Sequence, residues 1–103
     1  MKVAQVIWSN EALNDLEVIY DFLSEKSQPA AQRIVEGILD RAKQLESFPE
    51  SGARHDLLNI HSTEYRYLVE GHYKIIYTFQ VQSHVVYIAT IFDTRYDPEK
   101  LMI

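Results

Sequence analysis

The chain contains no cysteine, so neither a disulfide framework nor a thiolate metal site can hold it together. Its four histidines, His55, His61, His72 and His84, show no close metal-ligand spacing, and neither a metal nor any other cofactor is expected. The longest near-continuous apolar run, residues 85–92, is far too short to span a bilayer. The opening Met1-Lys-Val-Ala-Gln-Val-Ile-Trp8 has a short apolar stretch but no small-residue cleavage site behind it, so it does not read as a secretory leader. Repeats and low-complexity segments are missing too. The expectation is a soluble, cytoplasmic protein with no membrane contact. Positive charge is also scarce, with Lys and Arg outnumbered by Asp and Glu and a net charge of −5. A simple nucleic-acid binder usually shows a basic surface. The acids are uneven: residues 1–50 carry nine acids against five bases, and residues 51–103 carry six against five plus all the histidines. Any basic patch must be local and lie in the second half.

What is present reads as one globular domain over residues 1–103, since 103 residues at 47% hydrophobic content suffice for one core. Residues 2–8, rich in Val, Ile and Trp, read as a strand. Ser9-Asn10-Glu11 is a helix start, a capping side chain followed by an acid beside the positive end of the dipole. Leu13, Leu16, Tyr20 and Leu23 then recur at three and four residues, which predicts a helix over 10–26. Ser27-Gln28-Pro29 breaks it and opens a second, because proline fits a helix's first turn. Ala31, Val35, Ile38, Ala42 and Leu45 give that helix its stripe, widened by Ile34 and Leu39, and Pro49 and Gly52 end it near Ser47. So short a break implies an antiparallel helical hairpin.

Residues 53–64 allow a short strand, a helical turn or a loop. Beyond them residues 65–69 and 73–79 read as strands about a Glu70-Gly71-His72 turn, and residues 84–92 as a nearly all-apolar strand covered on both faces. The fold class is α+β, in the order β-α-α-β-β-β, with an antiparallel sheet packed on an N-terminal helical hairpin. Leu16, Tyr20, Ile38, Leu45, Ile75, Tyr77, Ile88 and Phe92 are the expected core.

The three late strands each carry a cation: Arg66, Lys74 and Arg95. Neighbouring strands can bring such residues onto one patch, and three cations about one point suit a phosphate. The plainer reading pairs each with Glu64, Asp93 or Asp97 as an ordinary sheet-face or strand-end cation. His72, in the hairpin turn, is chemically suited to proton transfer, and Tyr96 follows Arg95; plain solvent exposure is the simpler reading of both. Tyr65, Tyr67, Tyr73 and Tyr77 could stack bases or simply pack the sheet.

The element order, the Phe48-Pro49-Glu50-Ser51-Gly52 break, the Tyr73-Lys-Ile-Ile-Tyr77 strand and the terminal Phe92-Asp-Thr-Arg-Tyr-Asp-Pro98 together resemble the RelE/ParE superfamily of bacterial toxins over nearly the whole chain. That resemblance implies a type II toxin–antitoxin component, a plasmid-stabilisation type of growth inhibitor neutralised by a small cognate antitoxin. ParE-type members poison DNA gyrase. RelE-type members cut messenger RNA on the ribosome without a metal, and in them basic residues matching Arg66, Lys74 and Arg95 bind the scissile phosphate. Leu68 stands where those enzymes carry a further basic residue, and Arg54, His55 and His61 replace a lysine-rich segment. The C-terminal segment is closer to ParE-like members. The favoured expectation is a ParE-like toxin acting on gyrase. The alternatives are a RelE-type, metal-independent endoribonuclease, with Arg66, Lys74 and Arg95 catalytic and His72 or Tyr96 assisting, or a degenerate member that keeps only antitoxin binding. An exposed sheet edge and the grooves beside the hairpin are the expected antitoxin sites.

Overall fold

The computed structural model describes residues 3–55 and 63–95. Strand β1 (Gln5–Trp8) leads into α1 (Asn10–Ser24), α2 (Gln28–Lys43) and a 3-10 turn (Gln44–Glu46). Strands β2 (Ala53–Arg54), β3 (Arg66–Glu70), β4 (Tyr73–Gln80) and β5 (Val85–Asp93) follow. All five strands form one sheet in the order β1-β5-β4-β3-β2. The α+β class and the element order stand as expected, with one correction to the sheet and one open alternative resolved. The sheet is mixed, because β1 runs parallel to β5. A strand that leaves through a helix cannot return as a hairpin, and here it lies beside the last strand in the parallel sense. The ambiguous 53–64 stretch contributes β2, which pairs Ala53 with Tyr67 and Arg54 with Arg66. Residues 56–62 lie outside the described residues.

Both helices start as their sequences require. Ser9 Oγ accepts from the Ala12 amide at 3.0 Å and Ser27 Oγ from the Ala30 amide at 3.3 Å. The apolar stripes differ from expectation at their margins. Ala12 and Leu16 of α1 and Ala31, Ile38 and Ala42 of α2 are buried, whereas Leu13 and Leu39 face out. Tyr20 is only half-buried, and its hydroxyl accepts from Gln28 Nε2 at 3.4 Å. The core is otherwise as expected: Ile38, Leu45, Ile75, Tyr77 and Ile88 are fully enclosed. Each such aliphatic residue contributes about 1.5–3 kcal/mol.

Strand β5 carries a bulge. Ile76 pairs with Thr90 but Tyr77 pairs with Ile88, so Ala89 is the extra residue. Helix α1 takes over the edge of β5 where β1 ends. The Ser9 amide donates to the Ile88 carbonyl at 3.0 Å, and Ser9 Oγ donates to the Ala89 carbonyl at 2.8 Å. Asp15 Oδ2 accepts from Thr90 Oγ1 at 2.6 Å and from the Ile91 amide at 2.9 Å. The backbone groups that the bulge and the strand end would leave unmet are thereby satisfied.

Register decides which face each side chain occupies. Gly71, with φ +59°, and His72 close a two-residue loop, so Glu70 pairs with Tyr73, Leu68 with Ile75 and Arg66 with Tyr77. Tyr73, Ile75, Tyr77 and Leu68 belong to the core beneath the helices. Directly paired residues share a face. Arg66 therefore lies on the helix side. Lys74, Val69, Tyr67, Ile76 and Phe92 lie on the other side, joined by the pairs Lys74–Val69, Lys74–Phe92 and Tyr67–Ile76.

Candidate functional site

Arg66 sits under the loop that follows α2. Its Nη1 donates to the Glu50 carbonyl at 3.1 Å and the Gly52 carbonyl at 2.9 Å. Its Nη2 lies 3.4 Å from Glu64 Oε1 and 3.8 Å from Glu50 Oε2, and the side chain is 19% exposed. Glu64 also takes Arg54 Nε at 3.0 Å. The same loop is held from below by Tyr77, whose hydroxyl accepts from the Gly52 amide at 2.9 Å. Burial pushes the Tyr77 phenol up, so it remains a neutral hydroxyl. A Cβ at Gly52 would fall 2.6 Å from that hydroxyl and 2.7 Å from the Tyr67 carbonyl, so only glycine fits.

The other cations lie elsewhere. Lys74 projects from the opposite face, with Nζ 4.3 Å from the centroid of the Tyr67 ring. Arg95, just past β5, holds Asp93 with two side-chain hydrogen bonds, Nε to Oδ1 at 3.1 Å and Nη2 to Oδ2 at 2.9 Å. Those bonds hold the Asp93 carboxyl below the usual range, with smaller help from the Arg95 amide and charge and from nearby His72, and against the effect of burial. The His72 carbonyl accepts from the Thr94 amide and hydroxyl, each at 2.9 Å. His72, Asp93 and Arg95 are thus gathered at one end of the sheet. Asp93 is level with Tyr73 and Arg66 with Tyr77, about 13 Å away along the strand.

The three cations are not brought to one point. Arg66 and Lys74 occupy opposite faces, and Arg95 lies past the far end. Arg66 pairs with Glu64 and Arg95 with Asp93, the partners the plainer reading names. Leu68 is part of the core. Tyr96 and His61 lie outside the described residues. Of the tyrosine cluster, Tyr73 and Tyr77 are buried, while Tyr65 and Tyr67 are half-exposed. The carbonyl clamp by Arg66 was not foreseen from sequence. Among the described residues no group of three or more His, Asp or Glu is placed to hold a metal, and no helix is long and apolar enough to cross a membrane.

Neighbouring elements engage backbone groups just before β1 and on the part of β3 that extends past β2. Just before β1 the Ala4 amide donates to the Glu46 carbonyl at 2.8 Å. On β3 the Val69 carbonyl accepts from Arg41 Nε at 3.2 Å.

Comparison with known proteins gives a consistent answer. No curated protein sequence matches the chain. Among solved structures it is similar to one from the chromosomal ParDE toxin–antitoxin system of P. aeruginosa, with a TM-score of 0.70 at 20% identity, over 88% of this chain and 96% of that one. It is similar to a chain of the toxin–antitoxin complex RelBE2 from Mycobacterium tuberculosis, with a TM-score of 0.64 at 19% identity, over 88% and 98%. A mutant of E. coli toxin RelE in the free state gives a TM-score of 0.61 at 12% identity, over 96% and 90%. At such identities these likenesses establish the fold. The profile of the ParE toxin of type II toxin–antitoxin systems, parDE, matches residues 6–98. The chain belongs to the ParE toxin family, within the RelE/ParE superfamily.

Proposed function

We propose that this ParE-family toxin arrests growth by docking on DNA gyrase rather than by cutting RNA, and that a small cognate antitoxin neutralises it. The chain acts as one domain over residues 1–103, in the cytoplasm and without a cofactor. The observation that carries this reading is the engagement of Arg66. A guanidinium that holds two loop carbonyls and faces Glu50 and Glu64 is a poor phosphate ligand, because the carboxylates repel the incoming anion. A nuclease of this fold would need donors converging on the oxygen where charge develops. Here Lys74 points away from Arg66, and Arg95 spends two donors on Asp93. The antitoxin is supported by the P. aeruginosa ParDE and M. tuberculosis RelBE2 neighbours.

The test pairs two assays on the purified chain. It should inhibit gyrase supercoiling and leave messenger RNA intact in a translating extract. Co-expression with the adjacent small open reading frame should restore growth and yield a stable complex. Message cleavage that disappears on Arg66→Ala in a folded protein would overturn the reading.

A further inference from the structure

The outer face of α1 combines two features that a purely solvated helix face does not need. The first is exposed apolar surface. Val18 and Phe22, four residues apart and hence on one side of the helix, are 57% and 47% exposed. The second is charge. Glu17, Asp21 and Glu25 form a ladder at four-residue spacing, where like charges repel. The ladder runs toward the C-terminal end of α1, the negative end of its dipole, and the last turn has no basic residue. Glu11 extends the acidic rim, and Lys26, 5.8 Å from the Phe22 ring centroid, is the single base between residues 10 and 26. Among the described residues no ion pair engages Glu11, Glu17, Asp21 or Glu25.

Natural sequences break local rules mainly where function compensates. A solvated helix face has no need of an exposed Val–Phe pair, and a helix C-terminus is weakened by acids. One occupant relieves both: a protein surface with an apolar groove rimmed by Lys and Arg. We infer that the Val18–Phe22 crest of α1, with its Glu17, Asp21 and Glu25 rim, is the surface by which this toxin docks on its macromolecular target, and that the target presents a basic-rimmed apolar groove. A second copy of the chain is a poor occupant, since two acidic faces repel. The inference rests on the docking-toxin reading given above and adds the surface and the chemistry of its partner.

Two variants test it, Asp21→Lys/Glu25→Lys and Val18→Ser/Phe22→Ser, beside the control Glu36→Lys/Asp40→Lys on the exposed side of α2. All are assayed for growth arrest on induction, for gyrase inhibition over a range of salt, and for thermal midpoint. Asp21→Lys/Glu25→Lys should melt at or above the wild-type temperature, because it removes like-charge repulsion at the negative end of the helix dipole, and Val18→Ser/Phe22→Ser should lose some stability yet remain folded at the assay temperature. Both should lose arrest, with potency reduced by about tenfold or more, while the α2 control, with the same net charge, keeps it. Wild-type inhibition should weaken with salt and the charge-reversed variant's residual inhibition should not. Folded α1 variants that arrest growth like the wild type overturn the inference and leave the docking-toxin reading standing. Arrest that depends on α1 without gyrase inhibition supports the surface and removes gyrase as its target. Loss of arrest that tracks dimer dissociation in sedimentation, or a wild-type chain that arrests nothing, overturns the inference.

Discussion

Arg66→Ala separates a fold-holding cation from a phosphate-binding one. The hydrogen bond to the half-buried Gly52 carbonyl, at 2.9 Å and charge-assisted, falls in the class whose loss costs about 1.5–3 kcal/mol. The bond to the exposed Glu50 carbonyl at 3.1 Å can be replaced by water and counts for less. The contacts with Glu64 and Glu50, at 3.4 and 3.8 Å, are those of partly exposed pairs, worth about 0–1 kcal/mol each. The net expectation is a loss of about 2–4 kcal/mol, a large share of the about 5–15 kcal/mol available to a small domain. Urea denaturation should show a lower midpoint with an unchanged slope. Arg66→Lys should recover only part of the loss, because an ammonium cannot span two carbonyls as a planar fork does. Lys74→Ala removes a half-exposed contact with Tyr67 and should cost about 1 kcal/mol or less. An Arg66→Ala protein of wild-type stability that has lost toxicity would refute this reasoning, since Arg66 would then be acting on a ligand.

Truncating Ile38 or Ile88, both fully buried, to alanine should lower stability by about 2–5 kcal/mol in the same denaturation assay. Gly52→Ala forces a methyl against the Tyr77 hydroxyl and the Tyr67 carbonyl and should cost about 1–3 kcal/mol, and Tyr77→Phe, which strands the buried Gly52 amide, a similar amount. Asp93 titrates lower in the folded chain than in the unfolded one, so its contribution is present above the ordinary carboxylate pKa and is lost as pH falls through the folded value. Urea midpoints of the wild type should therefore drop on acidification more steeply than those of Asp93→Asn.

The helices and the core were legible because capping chemistry and apolar period act locally. Ser9 and Ser27 name their own helix starts, and Ile38 and Leu45 fall on the buried side of any helix drawn through them. The margins of the stripes were less legible. Leu13 is apolar but outward, because the helix is turned so that Ala12 and Leu16 are buried, which leaves Leu13 at the edge of the stripe. The parallel β1–β5 pairing and the bulge at Ala89 depend on contacts across most of the chain, such as Ser9 to Ala89 and Asp15 to Ile91. No short-range pattern marks them. Asp15 reads as one more acid on a polar face, yet it serves the backbone of the last strand.

The separation of the three cations was also legible in the chain, through strand parity. Three cations on three successive strands suggest convergence only if strand parity is ignored. A two-residue loop at Gly71-His72 fixes every later pair of the hairpin: Glu70 with Tyr73, then Leu68 with Ile75, then Arg66 with Tyr77. Tyr77 is one of the residues whose alternation with Ile75 and Tyr73 marks the core face, so Arg66 must share that face. Lys74, between Tyr73 and Ile75, must take the other. Moving either cation by one position would bring the two onto one side. A single phosphate clamp that uses Arg66 and Lys74 together would need both on one face, and Arg66 would have to release the Glu50 and Gly52 carbonyls. The docking reading proposed above does not draw on that clamp.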